Sequence, residues 1–171
     1  YMIDSVTYWA SEYHIDGFRF DLMGLHDVTT MKSIRTALDN LYADGSGSRI
    51  LMYGEAWDMA TNCDEGTVLA SQKNLKQLSD RIGAFDDTIR DAIKGSTGGT
   101  DGAFVQEGSR RANLKTGIAG QSDTTTGWAN VPSQCVTYAS CHDNLCLYDK
   151  LVGSVYGADG KYRKRYEDLV A

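Results

Sequence analysis

The sequence predicts an α/β fold built on a parallel sheet, from three observations. Segments with helical spacing alternate with short apolar runs, and the links between them are short, the pattern of βα units. Residues 49–53 form a short, largely apolar run of buried-strand character, as in strands covered on both faces. Only one Pro, Pro132, occurs in 171 residues, against ordinary usage of ~5%, which leaves little room for linkers. No internal repeat and no boundary to a second domain is evident, so residues 1–171 read as one unit of structure.

Taken in order, Val6, Trp9, Ala10 and Tyr13 fall at i, i+3, i+4 and i+7 on one helical face, with Asp4 or Ser5 as the expected cap. Residues 17–21, Gly-Phe-Arg-Phe-Asp, read as a strand. A second helix is expected from Thr29 or Thr30 through Met31, Ile34, Leu38 and Leu41, closing at Asp44-Gly45. Residues 49–53 form the next strand, and 82–85 a brief third one. A helix then carries Phe85, Ile89 and Ile93 in step, and the Gly-rich stretch 95–102 is a surface loop by composition, the most flexible part of the chain. Residues 134–139 are the last strand, with helices over about 144–152 and 161–171.

Composition narrows the function classes. The formal charge of −6 and scattered Lys and Arg argue against nucleic acid, whose binders carry a basic patch. No run approaches the ~20 apolar residues of a membrane helix. Cys63, Cys135, Cys141 and Cys146 show no C-x-x-C spacing, so a zinc site is not expected. They read as free thiols, which favours a cytoplasmic setting, with export left open. The chain starts and stops inside a pattern, as a piece of a longer domain would.

The informative residues are carboxylates at strand ends. Asp21 closes the first strand, Glu55 the second, and Asp143 follows the last. Asp21 and Glu55 are 34 positions apart (55 − 21), about one βα unit, so both fall on one rim of a parallel sheet. In a βα barrel the C-terminal rim is where active sites are built. Each residue also has a plainer reading: an acid at a strand end is often a helix cap or a surface charge, Gly24 and Gly54 can be turn glycines, and Arg19 can be a simple ion-pair partner of Asp21.

Three segments, in order and spacing, resemble the α-amylase superfamily, glycoside hydrolase family thirteen, and within it the type I pullulanases. They are Gly17-Phe-Arg-Phe-Asp-Leu-Met-Gly24, Tyr53-Gly-Glu-Ala-Trp57 and Tyr138-Ala-Ser-Cys-His-Asp-Asn144. Phe85-Asp-Asp-Thr-Ile-Arg-Asp-Ala-Ile-Lys-Gly95, Gly117-Ile-Ala-Gly120 and residues 163–170 resemble filler between and after them. The resemblance implies a partial (β/α)8 TIM barrel, about strands four to seven with their helices. It implies Asp21 as nucleophile, Glu55 as general acid/base and Asp143 as stabiliser of the transition state. Arg19 would orient Asp21 and His142 would hydrogen-bond the sugar, while Trp57, Met23 and Asn144 would join the substrate-binding set. Trp57 either stacks on a sugar or fills core. Ala56 departs from the Gly or Pro usual in debranching enzymes.

The implied activity is retaining hydrolysis of α-1,6 linkages in pullulan, glycogen or starch-type branched α-glucans. An α-1,4-acting amylase or glucanotransferase, or a non-catalytic carbohydrate-binding relative, stays as the alternative. The implied partner is a branched α-glucan, with no nucleic acid and no membrane. No cofactor is expected; family members often bind calcium, but no EF-hand-like oxygen spacing occurs here. Alone, the 171-residue piece is expected to be inactive.

Overall fold

A computed structural model describes residues 1–59, 61–123 and 125–155. The expected helix at 161–171 lies outside them. The described chain forms two compact units: Tyr1–Phe85 with Ser122–Val136, and Asp86–Gln121 with the described residues from Thr137 on.

The first unit holds the sheet. Helix α1 (Met2–Tyr13) leads into β1 (Gly17–Phe20), α2 (Val28–Asp39) into β2 (Leu51–Gly54), and β3 (Gly83–Phe85) and β4 (Cys135–Val136) complete the set. All neighbours are parallel, in the order β1-β2-β3-β4. Val6 and Ala10 of α1 and Met31, Ile34 and Leu38 of α2 form one buried cluster with Met52 and Ala84 of the strands.

Several boundaries differ from the sequence reading, each for a local reason. Helix α1 starts at Met2 without a side-chain cap, so Asp4 and Ser5 lie inside it. Trp9 and Tyr13 are largely exposed rather than core, because the buried stripe is centred on Val6 and Ala10. Helix α2 begins earlier than Thr29, because Asp27 is its cap: its carboxylate accepts from the Thr30 amide at 2.8 Å. Residues 46–49 form a 3-10 turn before β2. The last strand is only Cys135–Val136, paired with Ala84 and Phe85; Thr137 already belongs to the second unit.

In the second unit α3 (Asp87–Lys94) packs against α4 (Phe104–Glu107), α5 (Arg111–Ile118) and α6 (Leu147–Val155). Phe85 belongs to β3 rather than to α3, which Asp86 caps through the Thr88 and Ile89 amides. The 95–102 loop is tied down. Asp101 accepts from the Ser96 hydroxyl and amide and pairs with Lys150 and Arg110. The Ser96 hydrogen bonds first, then the Lys150 ammonium against the opposing effect of burial, hold the Asp101 carboxyl well below the usual range.

Candidate active site

The register of β1 and β2 pairs Phe20 with Gly54, so the next residues, Asp21 and Glu55, leave adjacent strands at the same level. The Glu55 amide donates to the Phe20 carbonyl at 3.0 Å and extends the ladder by one bond. After Asp21 the chain turns sharply through Leu22, which sits in the left-handed region (φ 46, ψ 42), into a 3-10 turn at Met23–Leu25. A leucine in that region carries local strain. The turn aims two amides at Glu55: Leu22 donates to Oε2 at 2.8 Å and Gly24 to the main-chain carbonyl at 2.9 Å.

Arg19 completes the arrangement. Its Nη2 lies 3.0 Å from Glu55 Oε1, and its Nη1 pairs with Asp21 Oδ1. One guanidinium therefore joins both carboxylates, where the sequence reading gave Arg19 to Asp21 alone. A planar fork suits this; an ammonium does not. Arg19 lies over the Phe85 ring (5.9 Å to the centroid), which packs edge-on against Tyr53 at 5.6 Å. The environments of the two acids differ sharply: Glu55 is 6% exposed, while the Asp21 side chain is 71% exposed.

The segment after Glu55 is held from two sides. A Cβ on Gly24 would lie 2.1 Å from the Trp57 carbonyl oxygen, so only Gly permits this approach. On the other side the Gln72 amide donates to the Ala56 carbonyl at 2.7 Å. Trp57 is half-buried. Met23, the first residue of the 3-10 turn, is fully buried in the core cluster, so its side chain fills core instead of facing a substrate as the sequence reading expects.

His142, Asp143 and Asn144 belong to the second unit. Their side chains are exposed, with His142 Nε2 3.6 Å from Asp143 Oδ2. The Cys141 thiol donates to the Asp143 carbonyl at 3.2 Å, and Asn144 has φ 62, a conformation Asn tolerates better than most residues. Upstream, burial pushes the Tyr138 hydroxyl up to about 12 against the pull of Arg90. Among the described residues the four cysteines are free, no group of three or more His, Cys, Asp or Glu could hold a metal ion, and no helix is long and apolar enough to cross a membrane.

Sequence reasoning missed the Leu22 amide and the Phe85 backing of Arg19. No residue-type signal marks the first. The second was open to reading, since Phe85 ends the strand next to Glu55's.

No family model matches the chain. Against curated proteins, it is 34% identical over 161 residues to the pullulanase of Bacillus subtilis, an alignment covering 88% of this chain and 21% of that one. The apo pullulanase crystal structure from Paenibacillus barengoltzii superposes with a TM-score of 0.84 at 38% identity, covering 99% of this chain and 25% of that one. The pullulanase of Anoxybacillus sp. LM18-11 complexed with maltotriose gives 0.78 at 37% identity, covering 90% and 21%. The four parallel strands thus match part of a glycosidase catalytic barrel of the α-amylase superfamily. Within that class the chain is a homologue of the pullulanases, glycoside hydrolase family thirteen. It spans about a fifth to a quarter of the length of these relatives.

Proposed function

We propose that residues 1–171 are the central part of the catalytic barrel of a retaining α-1,6-glucan hydrolase, a debranching enzyme acting on pullulan, glycogen or starch-type branched α-glucans. The observation that carries this reading is the joint hold of Arg19 on Asp21 and Glu55 at the ends of register-matched strands. A retaining mechanism asks for a nucleophilic carboxylate open to the sugar and a second carboxyl beside the leaving oxygen. The exposed Asp21 suits the first task and the enclosed Glu55 the second.

In the first step an Asp21 oxygen bonds to the anomeric carbon as the glycosidic bond breaks, and Glu55 gives its proton to the departing oxygen. In the second, Glu55 takes a proton from water, whose oxygen displaces Asp21 and frees the sugar. Asp143 supplies negative charge beside the oxocarbenium-like transition state. His142 and Asn144 hydrogen-bond sugar hydroxyls, and the half-buried Trp57 offers a ring face to a glucose unit. Arg19 keeps the two carboxyls oriented.

The test uses the full-length gene product. Asp21→Asn and Glu55→Gln are each expected to abolish pullulan hydrolysis with the fold intact by circular dichroism. Near-wild-type turnover in either variant overturns the assignment. Maltotriose released from pullulan with amylose untouched supports the α-1,6 reading, and cleavage of amylose defeats it.

A further inference from the structure

We propose that α3 positions Asp143 through two cations one helical turn apart, Arg90 and Lys94, which grip the two ends of the segment carrying His142 and Asp143. This rests on the role proposed for Asp143. Residues four apart lie on one face of a helix, and these two reach along the segment in order. Arg90 Nη1 donates to the Tyr138 hydroxyl at 2.8 Å, with the guanidinium 5.8 Å from the ring centroid. Lys94 Nζ donates to the Leu145 carbonyl at 2.7 Å. His142, Asp143 and Asn144 lie between these anchors.

The helix is itself well fixed. At its start the buried Asp86 accepts from the Thr88 and Ile89 amides and from the Gln121 side chain at 2.9 Å. At its end the Lys94 carbonyl accepts from Gln106 Nε2 at 3.0 Å, and the same nitrogen reaches Ser154 of α6 at 2.9 Å. A group held on such an element keeps its geometry better than one on a free loop. Within the segment itself, the Cys141 thiol donates to the Asp143 carbonyl and the Ser140 hydroxyl accepts from the Leu147 amide at the start of α6. Those bonds shape the loop, and the anchors on α3 add a hold from a second element.

The burial of Lys94 argues against mere filling. It is 1% exposed, and burial lowers its pKa against the attraction of neighbouring groups. An ammonium taken out of water is costly unless it is used, and a Met would occupy the same volume at no such cost. Its position in the last turn of α3 is also where the helix dipole favours a cation. Arg90 and Lys94 are positioning residues, acting through the loop.

Lys94→Met in the full-length gene product tests this. It is expected to lower kcat on pullulan by about 10- to 100-fold, with KM nearly unchanged and faster amide exchange confined to residues 138–146. In an Asp143→Asn background the same change is expected to cost at least several-fold less in kcat, because the carboxylate it positions is gone, while His142 and Asn144 still lie between the anchors. Tyr138→Phe, which removes the hydrogen bond of the other anchor and keeps its ring contact, is expected to act in the same direction, more weakly, and decides the matter if Lys94→Met fails to fold. Unchanged exchange over 138–146, wild-type kcat, or an equal loss with and without Asp143 overturns the proposal. Wild-type turnover in Asp143→Asn alone overturns the functional reading instead, since Asp143 would then carry no chemistry to position.

Discussion

Gly24→Ala puts the turn behind Asp21 to the test. Gly24 donates its amide to the Glu55 carbonyl and lies against the Trp57 backbone. An added Cβ would meet the Trp57 oxygen at 2.1 Å, and the Trp57 carbon and nitrogen at 3.1 Å each. Carbon and oxygen normally approach to ~3.3 Å at closest, so the two backbones must separate by about 1 Å. No flexible side chain is there to yield. Overpacking of this kind costs about 1–3 kcal/mol in stability. It also moves the strand-end segment bearing Glu55, and a displacement near 1 Å can cost ~100-fold in rate, equivalent to about 2.7 kcal/mol of transition-state stabilisation. The assay is kcat/KM on pullulan with the full-length gene product, together with its melting temperature. Gly98→Ala is the control, since its added Cβ meets nothing within 4 Å; its stability should stay within about 0.5 kcal/mol and its kcat/KM at the wild-type level. If Gly24→Ala matches the wild type in both measures, the tight turn does not hold the site and the reasoning fails.

Two further predictions concern stability. Arg35 is buried and donates to the Ile50 carbonyl at 2.6 Å and the Gly47 carbonyl at 3.0 Å, while pairing with Asp39 at 2.8 Å. Burial alone would raise the Asp39 carboxyl, but Arg81 and Arg35 outweigh it and hold it low. Arg35→Met removes a donor from the Ile50 and Gly47 carbonyls, leaving Gly47 with the Ile50 amide at 3.2 Å, and strips Asp39 of a partner; it is expected to lower the opening free energy of α2 and β2 by about 2–4 kcal/mol, read by amide hydrogen exchange, and a loss below about 0.5 kcal/mol would contradict this. Asp101, whose folded pKa lies below its unfolded value of 3.8, contributes fully above that pH and loses its contribution as the pH falls beneath it. Asp101→Asn should therefore melt lower than the wild type near neutrality, with the gap closing below about pH 3.8; a gap independent of pH would refute the linkage.

What the sequence disclosed and what it hid follow from the same physics. Strands β1 to β3 announce themselves as short, mostly apolar runs at 17–20, 50–53 and 82–85, as expected of strands in a parallel sheet. Asp21 and Glu55 stand out because each is the first acid beyond such a run. Helix α5 gave no signal, since it packs with Gly117 against Ile89 and most of its residues face solvent; a helix that docks through a glycine has no apolar stripe. Nothing in the sequence marks Lys94 and Lys150 as buried, because a charge normally stays wet, yet both are 1% exposed. Asp27 is hidden as a cap in the sequence because Thr29 and Thr30 follow it and bear a similar preference. The left-handed turn at Leu22 had no marker at all, because that conformation is usually advertised by Gly or Asn.

The pairing of Phe20 with Gly54 also acts as a gauge. Neighbouring strands lie ~4.7–4.9 Å apart, whereas a retaining glycosidase separates its two carboxyls by ~5–5.5 Å and an inverting one by ~6.5–9.5 Å. On the proposed reading, two acids one residue past the same rung leave the sheet from backbones one strand spacing apart, a starting point suited to the shorter separation. Residues added between the strands would leave that gap intact, because they lengthen only the excursion from one rung back to it. One residue added inside β1 or β2 would slip the register and turn the following side chains to the opposite face. If the proposed function holds, the ladder keeps the two acid-bearing backbones at one level while the intervening loops are free to vary.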